Sequence, residues 1–468
     1  MTGDMGARDA TELAGLVARG EVTADELLDA ALAAVEERNP AINAVVLVQE
    51  EAARRAIRAG LPPGPFRGVP FLLKDLGCEA VDFPANNGSR LLANTRYRAN
   101  SNLFERMKAT GVVTFGRTTS PEGGIGTATE AAVYGGPTRN PWNPGHTPGG
   151  SSGGAGAAVA AGIVAMAHGS DGGGSIRIPA SSCGLFGFKP TRARMPEGPF
   201  SGEGWAGMST EGFLTRSVRD TAVMLDACMG ADLGAPYWAP PLAAGLAQAI
   251  SRPPRRLRIA LCDTTFTGQP IDAEVAEAVR AAGRLLESLG HRVEPAMPRA
   301  DIPGMMRAWT DIVAVGTALS ARNALGGRAA GPDLLEGVSR GALAHADSLH
   351  PTRYLEAVEA IHDFGREMAA FFRPEGAEGF DILLSATLAE PPARIGRFSH
   401  TTEDYVAYRI GPDGIFAYSP FCAVFNASGQ PAASLPLAQT GGGLPVGIHL
   451  AAPFGADEEL IALCAEVE

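Results

Sequence analysis

Gly149-Gly150-Ser151-Ser152-Gly153-Gly154 and Gly169-Ser170-Asp171-Gly172-Gly173-Gly174-Ser175-Ile176-Arg177 are two glycine–serine loops, with Ser151 and Ser175 standing 24 positions apart. Between them, residues 155–161 read as a helix of small side chains and residues 163–167 as a strand. Pro179 then suits the first turn of a further helix. Glycine lets backbone approach a ligand closely and take up positive φ. Successive N–H groups in such a loop form a nest for an anion, either a phosphate or a tetrahedral oxyanion.

Three simpler readings fail on context. No G-x-x-x-x-G-K-[ST] is present and the glycines do not fit G-x-G-x-x-G, which disfavours phosphate. A flexible linker would not be followed by strongly apolar structure. Gly150-x-Ser152-x-Gly154 fits the nucleophile elbow of α/β-hydrolases, but no strand precedes it and no Asp-then-His order follows.

Moving outward, residues 10–60 read as helical, with a capping box from Thr23 to Glu26 opening a helix that Asn39-Pro40 should stop. Short strands are expected at 42–48, 66–73 and 112–115. Residues 256–261, 272–289 and 291–295 read as one βαβ unit, residues 300–372 as helices, and 380–385, 432–437 and 446–450 as closing strands. Strands mixed with helices throughout argue an α/β layered fold. Four segments follow: N-terminal helices (1–60), a core with the glycine loops (61–230), the βαβ unit with a variable helical region (231–375), and C-terminal strands with a helix (376–468).

The 468 residues are 45% hydrophobic and 19% charged, as expected of a globular protein. The net charge of −12 disfavours nucleic acid as a partner. Six scattered cysteines without C-x-x-C suit a reduced, cytoplasmic protein. Residues 1–10 lack an apolar signal core, and the apolar stretch 155–167 is too short to span a bilayer, so no membrane partner is expected. No histidine stands at metal spacing, and neither metal nor cofactor is expected. His168 reads as a packed residue and Cys183 as a buried thiol.

The two glycine loops, the helix between them and Phe188-Lys189-Pro190-Thr191 together resemble the amidase signature family. So do Gly68-Val69-Pro70-Phe71-Leu72-Leu73-Lys74-Asp75, Thr138-Arg139-Asn140-Pro141-Trp142-Asn143, Ser428-Gly429-Gln430-Pro431 and Gly443-Leu444-Pro445-Val446-Gly447. The resemblance covers nearly the whole chain. It implies a mixed central β-sheet covered by helices on both faces.

By that resemblance Ser175 is the nucleophile, Ser151 a bridging serine in a cis peptide with Gly150, and Lys74 the base. The N–H groups of Gly172, Gly173, Gly174 and Ser175 form the oxyanion hole. Asp171 and Arg177 pair to hold the loop. Ser170 either closes a turn or orients the triad, and Ser151 or Ser152 also suits the N-cap of the helix at Ala155. The residue types suit the chemistry, because a serine hydroxyl needs a base before it attacks. Lysine serves as that base only when desolvation keeps it neutral, and the apolar run 69–73 before Lys74 can supply such a setting. Arg117, Thr119, Ser170, Gly172 and His449 depart from the family's usual residues, which bears on pocket shape.

Within the family the resemblance is greatest to hydrolases of nylon oligomers and related amides or urethanes, which implies an amide or carbamate substrate. The alternatives are an A-type subunit of glutamyl-tRNA amidotransferase and a non-catalytic scaffold with the same fold. The former's Tyr-Tyr and Lys-Val-Arg helix is not found between residues 350 and 372. Phe200, Trp205, Met208 and Trp309 are candidates for an apolar substrate pocket. Whether the chain forms a homodimer is left open.

Overall fold

A computed structural model describes residues 6–373, 375–376 and 378–468. Its frame is one mixed sheet of 11 strands, in the order β1-β3-β2-β4-β6-β5-β10-β11-β9-β7-β8. The strands are β1 Val45–Val48, β2 Pro70–Lys74, β3 Val113–Thr118, β4 Met166–Asp171, β5 Phe186–Lys189, β6 Thr210–Thr215, β7 Arg258–Leu261, β8 Arg292–Pro295, β9 Ile382–Ala386, β10 Ala432–Gln439 and β11 Pro445–Ala451. All four sequence segments contribute strands to it.

The central strands are buried along their whole length, which is why β2 reads as an unbroken apolar run up to Lys74. β2 lies parallel to both β3 and β4, with Leu72 opposite Ala167. These strands therefore deliver their C-terminal ends, Lys74 and Ser170-Asp171, to the same edge of the sheet. In open α/β sheets that edge is where ligands bind. The expected βαβ unit is present: β7 and β8 are parallel, joined by the helix Ala273–Ser288 that Asp272 caps.

Several boundaries differ from expectation. The helix opened by the Thr23–Glu26 capping box runs from Ala24 through Pro40 to Ile42. Asn39 does not end it; its Oδ1 accepts the N–H groups of Ala44 and Val45 beyond the helix, and Asn43 closes the helix in a left-handed conformation. The strand expected at 163–167 is β4, which starts at Met166 and includes Gly169, Ser170 and Asp171, so the second glycine loop begins only at Gly172. Strands β5 and β6 were not expected. The glycines of Phe186-Gly187-Phe188-Lys189 and Thr210-Glu211-Gly212-Phe213 blunt their periodic signal.

The helix between the loops, Gly153–Ala160, packs its small side chains against β4 and against the helix Arg177–Cys183. No helix among the described residues is long and apolar enough to cross a membrane. All six cysteines are buried and unpaired.

Candidate active site

Lys74 ends β2 with none of its surface exposed. Its Nζ donates to Ser151 Oγ at 2.7 Å and to Ser170 Oγ at 2.9 Å. Burial pushes the ammonium down to about 7, and the carboxylates of Glu211 and Asp171 oppose part of that shift. A lysine near 7 is neutral in about half of the molecules at pH 7, so a form that can accept a proton is well populated. The peptide bond between Gly150 and Ser151 is cis, as the resemblance implied.

The departure at Arg117 has a clear role. Its buried guanidinium donates to the carbonyls of Lys74, Gly77, Cys78 and Phe83. It thus fixes the chain that carries the lysine.

Ser175 follows the glycine turn that leaves β4. Its carbonyl accepts the N–H of Ser152 at 3.2 Å, which locks the two glycine loops together. Ser152 stands at the N-cap of the helix Gly153–Ala160 but does not cap it. Its hydroxyl lies 3.2 Å from the carbonyl of Ser170 and 3.3 Å from the Ser170 N–H, so it fastens the helix start to β4. The N-cap reading of its side chain is corrected accordingly.

Asp171 and Arg177 form a fully buried pair at 2.9 Å. Burial alone would raise the Asp171 carboxyl, but Arg177 overrides it and holds the group well below the usual carboxylate range. Arg177 also donates to Asn426 Oδ1 at 2.7 Å and reaches His449 Nε2 at 3.1 Å. Burial first, then Arg177, keeps the His449 ring neutral. Asp171 further accepts the N–H groups of Gly174 and Ile176. The Gly174 N–H is therefore engaged within the loop, which removes it from the four expected oxyanion donors. The N–H groups of Gly172, Gly173 and Ser175 make no hydrogen bond among the described residues. Gly174 is required for another reason: its φ of +121° suits no side chain.

A narrow cavity of about 30 Å³ contains Ser175. Trp205 and Trp309 line it, and Trp309 Nε1–H donates to the carbonyl of Gly172 at 3.1 Å. Phe200 does not line it. That ring is exposed on a separate surface cavity with Glu197 and Trp238. Met208 is buried core, its carbonyl held by Asn426. Both are corrections to the expected pocket.

Sequence reasoning missed Arg409, Phe416 and Ser419, which line the cavity from the segment before Ser428. It also missed Glu211, which accepts from His168 Nε2 at 2.7 Å, while His168 Nδ1 accepts the backbone N–H of Lys74 at 3.2 Å. No cluster of three or more His, Cys, Asp or Glu side chains able to hold a metal occurs among the described residues.

The amidase family profile matches residues 26–461 of this geometry. The chain belongs to the amidase family. As an amidase it is a hydrolase of carbon–nitrogen bonds other than peptide bonds. It is 36% identical to a 6-aminohexanoate-cyclic-dimer hydrolase of Paenarthrobacter ureafaciens, over 98% of this chain and 94% of that protein. A solved structure of 6-aminohexanoate cyclic dimer hydrolase superimposes with a TM-score of 0.91 at 35% identity, covering 99% of this amidase and 97% of that chain. A bacterial aryl acylamidase of the amidase signature family superimposes with a TM-score of 0.86 at 29% identity, over 98% and 95% of the two chains.

Proposed function

We propose that this amidase works through an acyl-enzyme on Ser175, with Ser151 as proton bridge and Lys74 as base, and that it cleaves aryl amides and N-aryl carbamates. The observation that carries this reading is the fully buried Lys74, whose Nζ lies 2.7 Å from Ser151 Oγ and whose ammonium is pushed down to about 7. A buried lysine with no carboxylate in contact is costly unless its neutral form is used. The similarity to an aryl acylamidase and to hydrolases of nylon-oligomer amides supports the substrate class. Six buried, unpaired thiols favour a reducing, cytoplasmic setting.

In the proposed cycle Ser175 Oγ bonds to the carbonyl carbon while its proton passes to Ser151, and the proton of Ser151 passes to Lys74. The tetrahedral oxyanion faces the N–H groups of Gly173 and Ser175. Donors placed in this way lower a barrier by about 3–4 kcal/mol each. The relay then runs backward to protonate the leaving amine, the C–N bond breaks, and water cleaves the acyl–Ser175 ester.

With an N-aryl carbamate, loss of the arylamine leaves an alkoxycarbonyl-Ser175. Water converts this carbonate ester to free serine, alcohol and carbon dioxide. Loss of a phenol instead leaves a carbamoyl-Ser175, which nitrogen donation protects from water. N-aryl carbamates with small alkoxy groups should turn over, and carbamates of good phenols should block the enzyme. Intact-protein mass spectrometry separates the outcomes by the mass retained on Ser175. Cleavage of anilides with neither turnover nor modification by N-aryl carbamates would remove the carbamate half of the proposal.

A further inference from the structure

The cavity that contains Ser175 holds a positive charge for which the hydrolytic cycle has no use. Arg409, only 1% exposed, lines it, and its Nε and Nη2 are buried without a hydrogen-bond partner among the described residues. No carboxylate among the described residues pairs with it. The residues that line the cavity include neither Asp nor Glu. Instead the guanidinium lies over the rings of Trp309, Tyr405 and Tyr408, at 5.0, 5.2 and 5.7 Å from their centroids.

Ring faces hold a guanidinium by its flat surface. They leave the Nε and Nη2 N–H groups, which point outward in its plane, without an acceptor among the described residues. Two more polar atoms of the same cavity share this condition: Thr127 Oγ1 and Ser419 Oγ are both buried without a partner. Buried polar groups are nearly always bonded, so three unsatisfied side chains converging on one small cavity mark a place for an acceptor. A guanidinium fork that shares a cavity with two unpartnered hydroxyls suits a carboxylate, which takes two parallel N–H bonds and has lone pairs left for O–H donors. A cavity of about 30 Å³ admits a small planar group of that kind.

We propose that Arg409, with Thr127 and Ser419, forms a carboxylate subsite, so that the preferred amides carry an acid group on their acyl or amine portion. This rests on the reading of Ser175 as the nucleophile, since the subsite is placed by the cavity the two residues share. Arg409 is then a specificity residue that touches substrate away from the reacting bond.

The test compares acids with their neutral methyl esters: succinyl 4-nitroanilide on the acyl side and 4-acetamidobenzoate on the amine side. In the wild type at least one acid should exceed its ester in kcat/KM by about tenfold or more. Arg409→Met should lower kcat/KM for that acid at least about tenfold more than for its ester, and Arg409→Lys should restore part of the difference. Retained ester turnover reports that the variant is folded. Thr127→Val provides a milder second probe and should weaken the acid alone.

A binding arm runs without turnover. Succinate and benzoate are titrated into Ser175→Ala, followed by tryptophan fluorescence through Trp309, and again after adding Arg409→Met. Saturable quenching that Arg409→Met abolishes supports the subsite. Equal losses for acid and ester, ester preference in both pairs, or binding indifferent to Arg409 would overturn it. Hydrolysis that survives Ser175→Ala would sink the nucleophile assignment instead, and the binding arm would still judge Arg409.

Discussion

The carboxylate of Glu211 lies 2.7 Å from Nε2 of His168, whose other ring nitrogen takes the backbone N–H of Lys74. The Lys74 N–H occupies Nδ1, so the ring proton sits on Nε2 and points at Glu211. An anion is thereby fixed behind the buried lysine, and its field is the largest influence opposing the desolvation of Lys74.

Removing that anion should shift the pH profile. Neutral Lys74 is the active form in the proposed cycle, so kcat/KM should rise with pH and level off above about 7. Glu211 favours the charged lysine. Glu211→Gln therefore lowers the lysine further and should move the rising limb to lower pH. Asp171 acts in the same direction and remains in place in this variant. A limb that stays put or moves upward contradicts the electrostatic role of Glu211.

Neither His168 nor His449 should supply the limb. His449 is held neutral by burial and Arg177, and the two ring nitrogens of His168 are engaged by the backbone N–H of Lys74 and by Glu211. His449→Gln and His168→Gln should each keep a rising limb in kcat/KM, with His168→Gln free to displace it. Disappearance of the limb in either variant would assign the base to histidine.

The Asp171–Arg177 pair should be a stability element. Both groups are fully buried, and Asp171 also holds the N–H groups of Gly174 and Ile176. Asp171→Ala strands the guanidinium beside His449 and Asn426, and a broken buried pair costs about 3–5 kcal/mol. Denaturant unfolding should show that loss in the midpoint. A change under about 1 kcal/mol would mean the pair is dispensable to the fold.

Gly172 should be intolerant of a side chain. A Cβ there would lie 2.5 Å from Cζ3 of Trp205, one of the cavity walls. Gly172→Ala should push the indole into the substrate space and raise KM more than it lowers kcat. Unchanged kinetics would show that Trp205 moves freely.

Parts of this arrangement could be read before any coordinates because their cause is local. Lys74 sits at the end of an unbroken apolar run, and the glycine loops carry Ser151, Ser170, Asp171 and Ser175 in one stretch. The family resemblance supplied the link between these two places. What could not be read depends on distant contacts. Glu211 lies in a strand blunted by Gly212 and meets His168 only through antiparallel pairing of β4 with β6. Arg409 lies in the last turn of a short helix, Tyr405–Ile410, and nothing in its neighbours predicts that it turns into the cavity rather than to solvent. The apolar character of Phe200 and Met208 suits a pocket, but apolar side chains equally serve core and surface, and only packing decides between them.

The central claim, that a neutral buried Lys74 activates Ser175, can be tested by the pH dependence of inactivation by a sulfonyl fluoride, with the labelled residue located by peptide mass spectrometry. The label should appear on Ser175, the rate should rise through a pH of about 7, and Lys74→Met should abolish the reaction over the whole range. A label on Ser152, or a rate in Lys74→Met equal to that of the wild type, would contradict it.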